Sequence, residues 1–177
     1  LNSFVGAGAV GDYNLAIRML GLPIQFIGGA ISTVFSQEAT RKYNLYGEYK
    51  EIFLKTLKSL ILISIVPVLI LTFFSTEIFT FFFGEKWLKA GIIAGIMAPL
   101  FALKLINSPL SYGFYIHKLL KLDLLATATL GVGTYLIFHQ LLTANYEHIT
   151  VIKIYTIFYC LIYILMILIN YKLTKRK

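Results

Sequence analysis

The sequence predicts an all-α fold, a multi-spanning transmembrane helix bundle of about five spans. Three observations carry the prediction. Of its 177 residues 58% are hydrophobic, and the mean hydropathy is +0.79. Ordinary soluble domains sit at about 45–50% apolar, and a soluble chain of this size could not hide the excess. The apolar residues are gathered into runs of the length that crosses a hydrocarbon layer of about 30 Å, which takes about 20 helical residues. All four prolines, Pro23, Pro67, Pro99 and Pro109, fall inside those runs. A proline within a helix costs about 3 kcal/mol in water. In a membrane bundle, neighbouring helices and Ser or Thr side chains re-satisfy the freed carbonyls.

The first span is expected over residues 14–35, within "GDYNLAIRMLGLPIQFIGGAISTVF", a stretch interrupted by Asn14, Arg18, Pro23 and Gln25. The second covers residues 57–74 and runs on into "STEIFTFFF", which either lengthens it or lies at the interface. The third covers residues 91–112, the fourth residues 122–143 and the fifth residues 151–171. No internal repeat and no low-complexity segment is visible.

The net charge of +8 would suggest nucleic acid in a soluble protein. Sorted by loop, it has another origin. The loop after the first span, the loop after the third and the C-terminal tail hold eleven Lys and Arg, among them Arg41, Lys42, Lys50, Lys118 and Lys172. The intervening loops hold Lys86 and Lys89. Positive residues collect on the cytoplasmic side. Five crossings with a cytoplasmic C-terminus follow, and nucleic acid is not expected as a partner. "FTFFFGEKW", with Trp87, fits the opposite interface. The single cysteine, Cys160, permits neither an intrachain disulfide nor a cysteine metal cluster. The chain opens on Leu1 without a signal-peptide pattern and reads as a piece of a longer protein.

The polar residues within the spans are ordered. At about 100° per residue, Asn14, Arg18, Gly21, Gln25, Gly28, Gly29, Ser32 and Ser36 share an arc of about 100°. In the third span Lys104, Asn107, Ser108, Ser111 and Tyr115 do the same beside Pro109. A weaker line in the fourth joins Gly131, Tyr135 and His139. A charge at the membrane centre costs on the order of 2.5–3.5 kcal/mol on insertion scales, and such residues face a bundle interior or a watery cavity. Asn14, Arg18, Gln25, Lys104, Asn107 and Ser111 are therefore the candidate substrate-binding residues. They would line a cationic cavity suited to an anionic or sugar-rich substrate, where Arg offers bidentate geometry and Lys a point charge. Both stripes are expected to face one shared cavity.

Structural readings stand beside this one. Arg18 could pair with Asp12, or snorkel to the interface; snorkelling is harder for Lys104, nearer mid-span. Asn107, Ser108 and Ser111 could be interhelical glue. Gly28 and Gly29 suit close helix approach, and His139 an interfacial histidine. No HExxH, P-loop or GxSxG motif occurs, and the eight acidic residues are scattered. No catalytic residue, metal or cofactor is expected.

Two stretches carry a family resemblance. "GDYNLAIRMLGLPIQFIGGAISTVFSQEATR", through Gly11, Tyr13, Ala16, Arg18, Leu22, Pro23, Val34 and Phe35, resembles the helix opening the second half of polysaccharide biosynthesis proteins. These are the lipid-linked oligosaccharide flippases, of O-antigen type, of the multidrug/oligosaccharidyl-lipid/polysaccharide exporter superfamily. "FFFGEKWLKAGIIAGIMAPLFALKLINSPLS" follows the family through Phe83, Gly84, Trp87, Gly91, Ala98, Pro99, Ser108 and Pro109. At the end of the first helix, "FSQEATR" stands where relatives often carry a proline.

The resemblance implies a transporter of two helical lobes around a cationic cavity, working by alternating access. Residues 1–177 would be its transmembrane C-terminal lobe, with the N-terminal lobe absent. The implied substrate is an oligosaccharide on a polyprenyl pyrophosphate, moved across the bacterial inner (plasma) membrane for lipopolysaccharide or other surface polysaccharide. Arg18 and Lys104 would then attract pyrophosphate or sugar acids, and Gln25, Asn107 and Ser111 would bond sugar hydroxyls. Implied partners are the lipid-linked oligosaccharide, membrane lipid, the missing lobe and other envelope glycan assembly proteins. A drug or cation antiporter of the same superfamily would favour intramembrane carboxylates over Arg18 and Lys104. A membrane-embedded glycan-synthesis enzyme would need a catalytic constellation. A membrane scaffold is the remaining class.

Overall fold

Five helical segments are long and apolar enough to cross a membrane: Gly8–Tyr46, Lys50–Phe83, Glu85–Ile116, Leu120–Thr143 and His148–Leu173. Each contains one of the expected spans. The computed structural model describes residues 7–144 and 146–175, and no strand occurs among them. We name the helices α1 (Ala7–Pro23), α2 (Gly29–Tyr46), α3 (Lys50–Phe83), α4 (Leu88–Leu110), α5 (Tyr112–Ile116), α6 (Leu120–Thr143) and α7 (His148–Leu173). A π-helical turn, Ile24–Gly28, joins α1 to α2, and a 3-10 turn, Glu85–Trp87, precedes α4.

Glycine ends the first two spans. Gly47 takes a left-handed φ of 72° and donates its N–H to the Tyr43 carbonyl at 2.8 Å. Gly84, at φ +91°, donates to the Thr80 carbonyl at 2.9 Å. A side chain at either position would clash with its own backbone. "STEIFTFFF" lengthens α3, which runs unbroken to Phe83. Thr80 supports this stretch by bonding the Thr76 carbonyl at 2.9 Å, and Phe73, Phe74, Phe81 and Phe82 point outward, as lipid-facing side chains do.

α4 is the central helix. Ala90, Ala94, Met97, Ala98, Leu100 and Leu110 are all buried, and α1, α2, α3 and α7 pack around it. Its closest neighbour is α3, admitted by two glycines one turn apart. A Cβ on Gly91 would lie 2.8 Å from the Thr76 Cα, and one on Gly95 2.6 Å from the Ser75 Oγ. Small residues set membrane helix contacts in this way because lipid supplies no hydrophobic drive between helices. α6 lies at the edge on α7. The Phe158 ring occupies the space beside Gly133, and the hydroxyls of Thr134 and Tyr159 share a hydrogen bond of 2.8 Å.

α1 runs beside α4 in the same direction. A Cβ on Gly11 would be 4.0 Å from the Trp87 ring, and one on Gly28 3.5 Å from the Leu105 Cδ1. This register sets the depth of each polar group.

Candidate functional site

α1 turns Ala16 and Leu20 into the core. Asn14 and Arg18, on the other side of the wheel, are exposed. The Arg18–Asp12 pair does not form. The two residues point about 120° apart on the helix, and among the described residues the ion pair within 4.0 Å is Lys42–Glu51, at 3.6 Å.

The π turn breaks the predicted stripe. Pro23 has no N–H, so the helical ladder loses a bond there, and the turn after it is wider than an α turn. Every later residue is rotated relative to a regular wheel. Gln25 and Gly29 stay exposed, but Gly28 is buried against Leu105 and Phe35 enters the core. Ser32 and Ser36 are half-buried. Gly28 admits the close approach expected of it; Gly29 meets nothing within 4 Å among the described residues.

The α4 stripe divides as well. Lys104 is exposed, its Nζ 5.5 Å from the centre of the Phe101 ring. Ser108 and Tyr115 are exposed, and half-buried Ser111 donates to the Ser108 carbonyl at 3.0 Å. Asn107 is buried in the α4–α7 contact, where its Nδ2 reaches the Met166 Sδ at 3.8 Å. Asn107 lies about 60° from Lys104 on the wheel, enough to carry it under α7. Lys104 sits between that contact and the Leu105 edge that meets α1. The two cations are thus on exposed faces of neighbouring helices. The α1–α4 register puts Lys104 near the depth of Ile27. Arg18 lies roughly 15 Å nearer the Trp87 end, by the helical rise.

Two hollows flank α1. One, of about 450 Å3 and apolar, is lined by Pro23, Pro67, Leu71, Phe79 and Phe101 between α1, α3 and α4. The other, of about 360 Å3, lies at the Trp87 end of α1 and has Asp12, Tyr13, Asn14 and Lys89 in its walls.

A polar cluster at the opposite end escapes the sequence reading. The Tyr49 hydroxyl and the Asn170 Oδ1 both crowd Gly113, and Asn170 donates its Nδ2 to the Met166 carbonyl at 3.1 Å. Burial, reinforced by Tyr43, pushes the Tyr49 phenol well above its ordinary value. Its backbone N–H donates to the Thr174 carbonyl at 3.3 Å, tying the α2–α3 turn to the end of α7. The signal available beforehand was a lone amide in "LMILIN" and a glycine facing it. His139, in the weaker fourth-span line, stacks on Tyr135 with ring centres 5.5 Å apart. Among the described residues, no group of three or more His, Cys, Asp or Glu is placed to hold a metal ion.

Comparison with known proteins finds a family and a relative. The model of a family described as "Polysaccharide biosynthesis protein" matches residues 2–91, which take in Asn14, Arg18 and the π turn but not Lys104. The teichuronic acid biosynthesis protein TuaB of Bacillus subtilis (strain 168) is 34% identical over 110 residues. That stretch is 62% of this chain and 23% of TuaB, so the chain spans less than a quarter of that relative. No solved structure matches.

Proposed function

Because the chain belongs to the polysaccharide biosynthesis protein family, we propose that it is the C-terminal lobe of a flippase. The cargo would be a polyprenyl-pyrophosphate-linked oligosaccharide, carried across the bacterial plasma membrane with the basic loops and the C-terminus in the cytoplasm. One observation carries this reading. Arg18 and Lys104 are exposed on adjacent helices within membrane-crossing segments, and neither forms an ion pair among the described residues. A soluble lobe would gain little from such charges. Between two lobes in a low-dielectric membrane, they attract an anion strongly.

The depths divide the work. Cations roughly 15 Å apart along the axis cannot both grip one pyrophosphate. Lys104, the deeper, is a point charge that can follow a moving phosphate. Arg18 presents a fork for two oxygens of a phosphate or a sugar acid. Asn14, Gln25 and Ser111 supply hydrogen bonds to sugar hydroxyls, and Asn107 supports Lys104 from behind by holding α4 to α7. Transport needs the other lobe, because alternating access is the rocking of one bundle against another. A cation antiporter fits less well, since both charges would repel its cargo.

The test is complementation. The full-length protein carrying this chain is expressed in a strain without its glycan flippase, and surface glycan is scored at matched membrane levels. Wild type restores glycan; Arg18→Ala and Lys104→Ala lose it, and Arg18→Lys is intermediate. Full activity in both alanine variants would refute the cationic-cavity reading.

A further inference from the structure

We propose that the hollow at the Trp87 end of α1 is a carbohydrate subsite for uncharged sugar rings, a proposal that rests on the flippase reading. Its central feature is Asp12. This carboxylate is only 9% exposed, yet it lines the hollow. Among the described residues it forms no ion pair within 4.0 Å and no side-chain hydrogen bond, and the charge that acts on it is that of Lys89. A buried carboxylate is costly unless donors meet it. Lys89, in the same wall, offsets part of that cost, and the hydroxyls of an entering ligand would supply further donors.

The walls describe that ligand. Tyr13 and Phe138 both line the hollow and meet edge to face, with ring centres 6.1 Å apart. They offer flat apolar surface to the C–H face of a pyranose. Asn14 and Lys89 add donors beside Asp12, and Glu147 adds a second acceptor. Adjacent sugar hydroxyls can donate together to the two Asp12 oxygens, as a guanidinium does. In these largely apolar walls, which also include His148, Asp12 and Glu147 outnumber Lys89, and the walls carry a formal net negative charge. They therefore disfavour pyrophosphate and sugar acids, the groups that Arg18 and Lys104 favour. The volume of about 360 Å3 lies within the range of small-molecule sites.

Position completes the case. Asn14 is one turn above Arg18 on α1, on the side away from Lys104. A cargo with its anionic end between Lys104 and Arg18 would have to bend round α1 at the Trp87 end, past Asn14, to bring its distal, uncharged rings against Asp12. In the proposed orientation, this hollow lies at the outer face, where the glycan leaves first.

The experiment uses the full-length protein in lipid nanodiscs. Saturation-transfer NMR is recorded with glucose, N-acetylglucosamine, N-acetylgalactosamine and glucuronic acid, for wild type and Asp12→Asn, with thermal stability checked. We expect at least one neutral sugar to bind wild type at least 10-fold more tightly than Asp12→Asn. We expect glucuronic acid to bind wild type weakly and to gain in the variant. Unchanged sugar binding in Asp12→Asn would overturn the subsite, as would no binding of any neutral sugar. Stabilisation by sodium that depends on Asp12, without sugar contact, would also overturn it and make the residue a cation ligand. Complementation by Arg18→Ala and Lys104→Ala is scored separately, so loss of this subsite leaves the flippase reading standing, and the reverse can be told apart.

Discussion

Gly28 lies against Leu105: a Cβ added to the glycine would be 3.5 Å from the Leu105 Cδ1. That contact locks α1 to α4 at the lower end of the π turn, and with it the relative depth of Gln25 and Lys104. At 3.5 Å one methyl is ordinary van der Waals contact. Gly28→Ala should therefore keep wild-type stability and glycan export. Gly28→Leu must push the helices apart, at about 1–3 kcal/mol for overpacking. Thermal unfolding of the purified protein checks both variants. Equal melting temperatures for Gly28→Ala and Gly28→Leu would mean that the α1–α4 contact is looser than described.

Gly91 and Gly95 make a sharper pair. A Cβ on Gly91 would meet backbone, with the Thr76 Cα at 2.8 Å and the Ser75 carbonyl oxygen at 2.9 Å. A Cβ on Gly95 would meet chiefly the Ser75 Oγ, at 2.6 Å. Backbone cannot step aside, whereas a hydroxyl can be removed. Both alanine variants should lose stability, Gly91→Ala by about 2 kcal/mol or more. Adding Ser75→Ala should recover part of the Gly95→Ala loss and none of the Gly91→Ala loss. A double-mutant cycle at each site measures this, and equal rescue at both would contradict the geometry.

Near the basic end, Tyr49 and Asn170 share the space over Gly113. The Tyr49 hydroxyl is buried and has no hydrogen-bond partner among the described residues. An unmet buried donor costs about 1–3 kcal/mol, so Tyr49→Phe should be neutral or stabilising by about 1 kcal/mol, unusual for a fully buried tyrosine. Gly113→Ala should destabilise strongly, because its Cβ would strike both oxygens. Chemical unfolding of the single variants decides the matter, and a clear loss in Tyr49→Phe would reveal a bond that the hydroxyl makes in solution.

Much of this architecture was legible beforehand because membrane crossing depends on few variables. Run length alone was enough to place all five spans. The faces were less legible. Pro23 marked an interruption, but no wheel says how far a π turn rotates the residues beyond it, so Gly28 was placed with Arg18 although it packs on Leu105. Asn107 and Lys104 are three residues apart and fall within one arc, yet the edge of α7 passes between them. A wheel has no neighbours, and so cannot draw that line. Gly91 stood out only as a family-like position and Gly95 not at all, and neither showed its packing role until α3 was laid across them. Asp12 was weighed as a partner of Arg18 because it is near in sequence; around the helix the two diverge.

The division between Lys104 and Asn107 yields the last prediction. One is exposed over Phe101 and the other buried against Met166, so one substitution should alter transport and the other packing. Lys104→Gln removes the charge while keeping a long polar side chain. It should abolish glycan export and leave the melting temperature within error of wild type. Asn107→Ala removes the contact with Met166, and interhelical polar contacts average about 0.6 kcal/mol. It should lower the melting temperature slightly and keep most of the export. Measuring both quantities on both variants separates a charge that meets cargo from an amide that holds two helices. If Asn107→Ala lost export at normal stability, α7 would have to move away from α4 during transport and uncover the amide. If Lys104→Gln kept export, the lower part of the cavity would grip its cargo without a charge, and Arg18 alone would carry the electrostatic attraction.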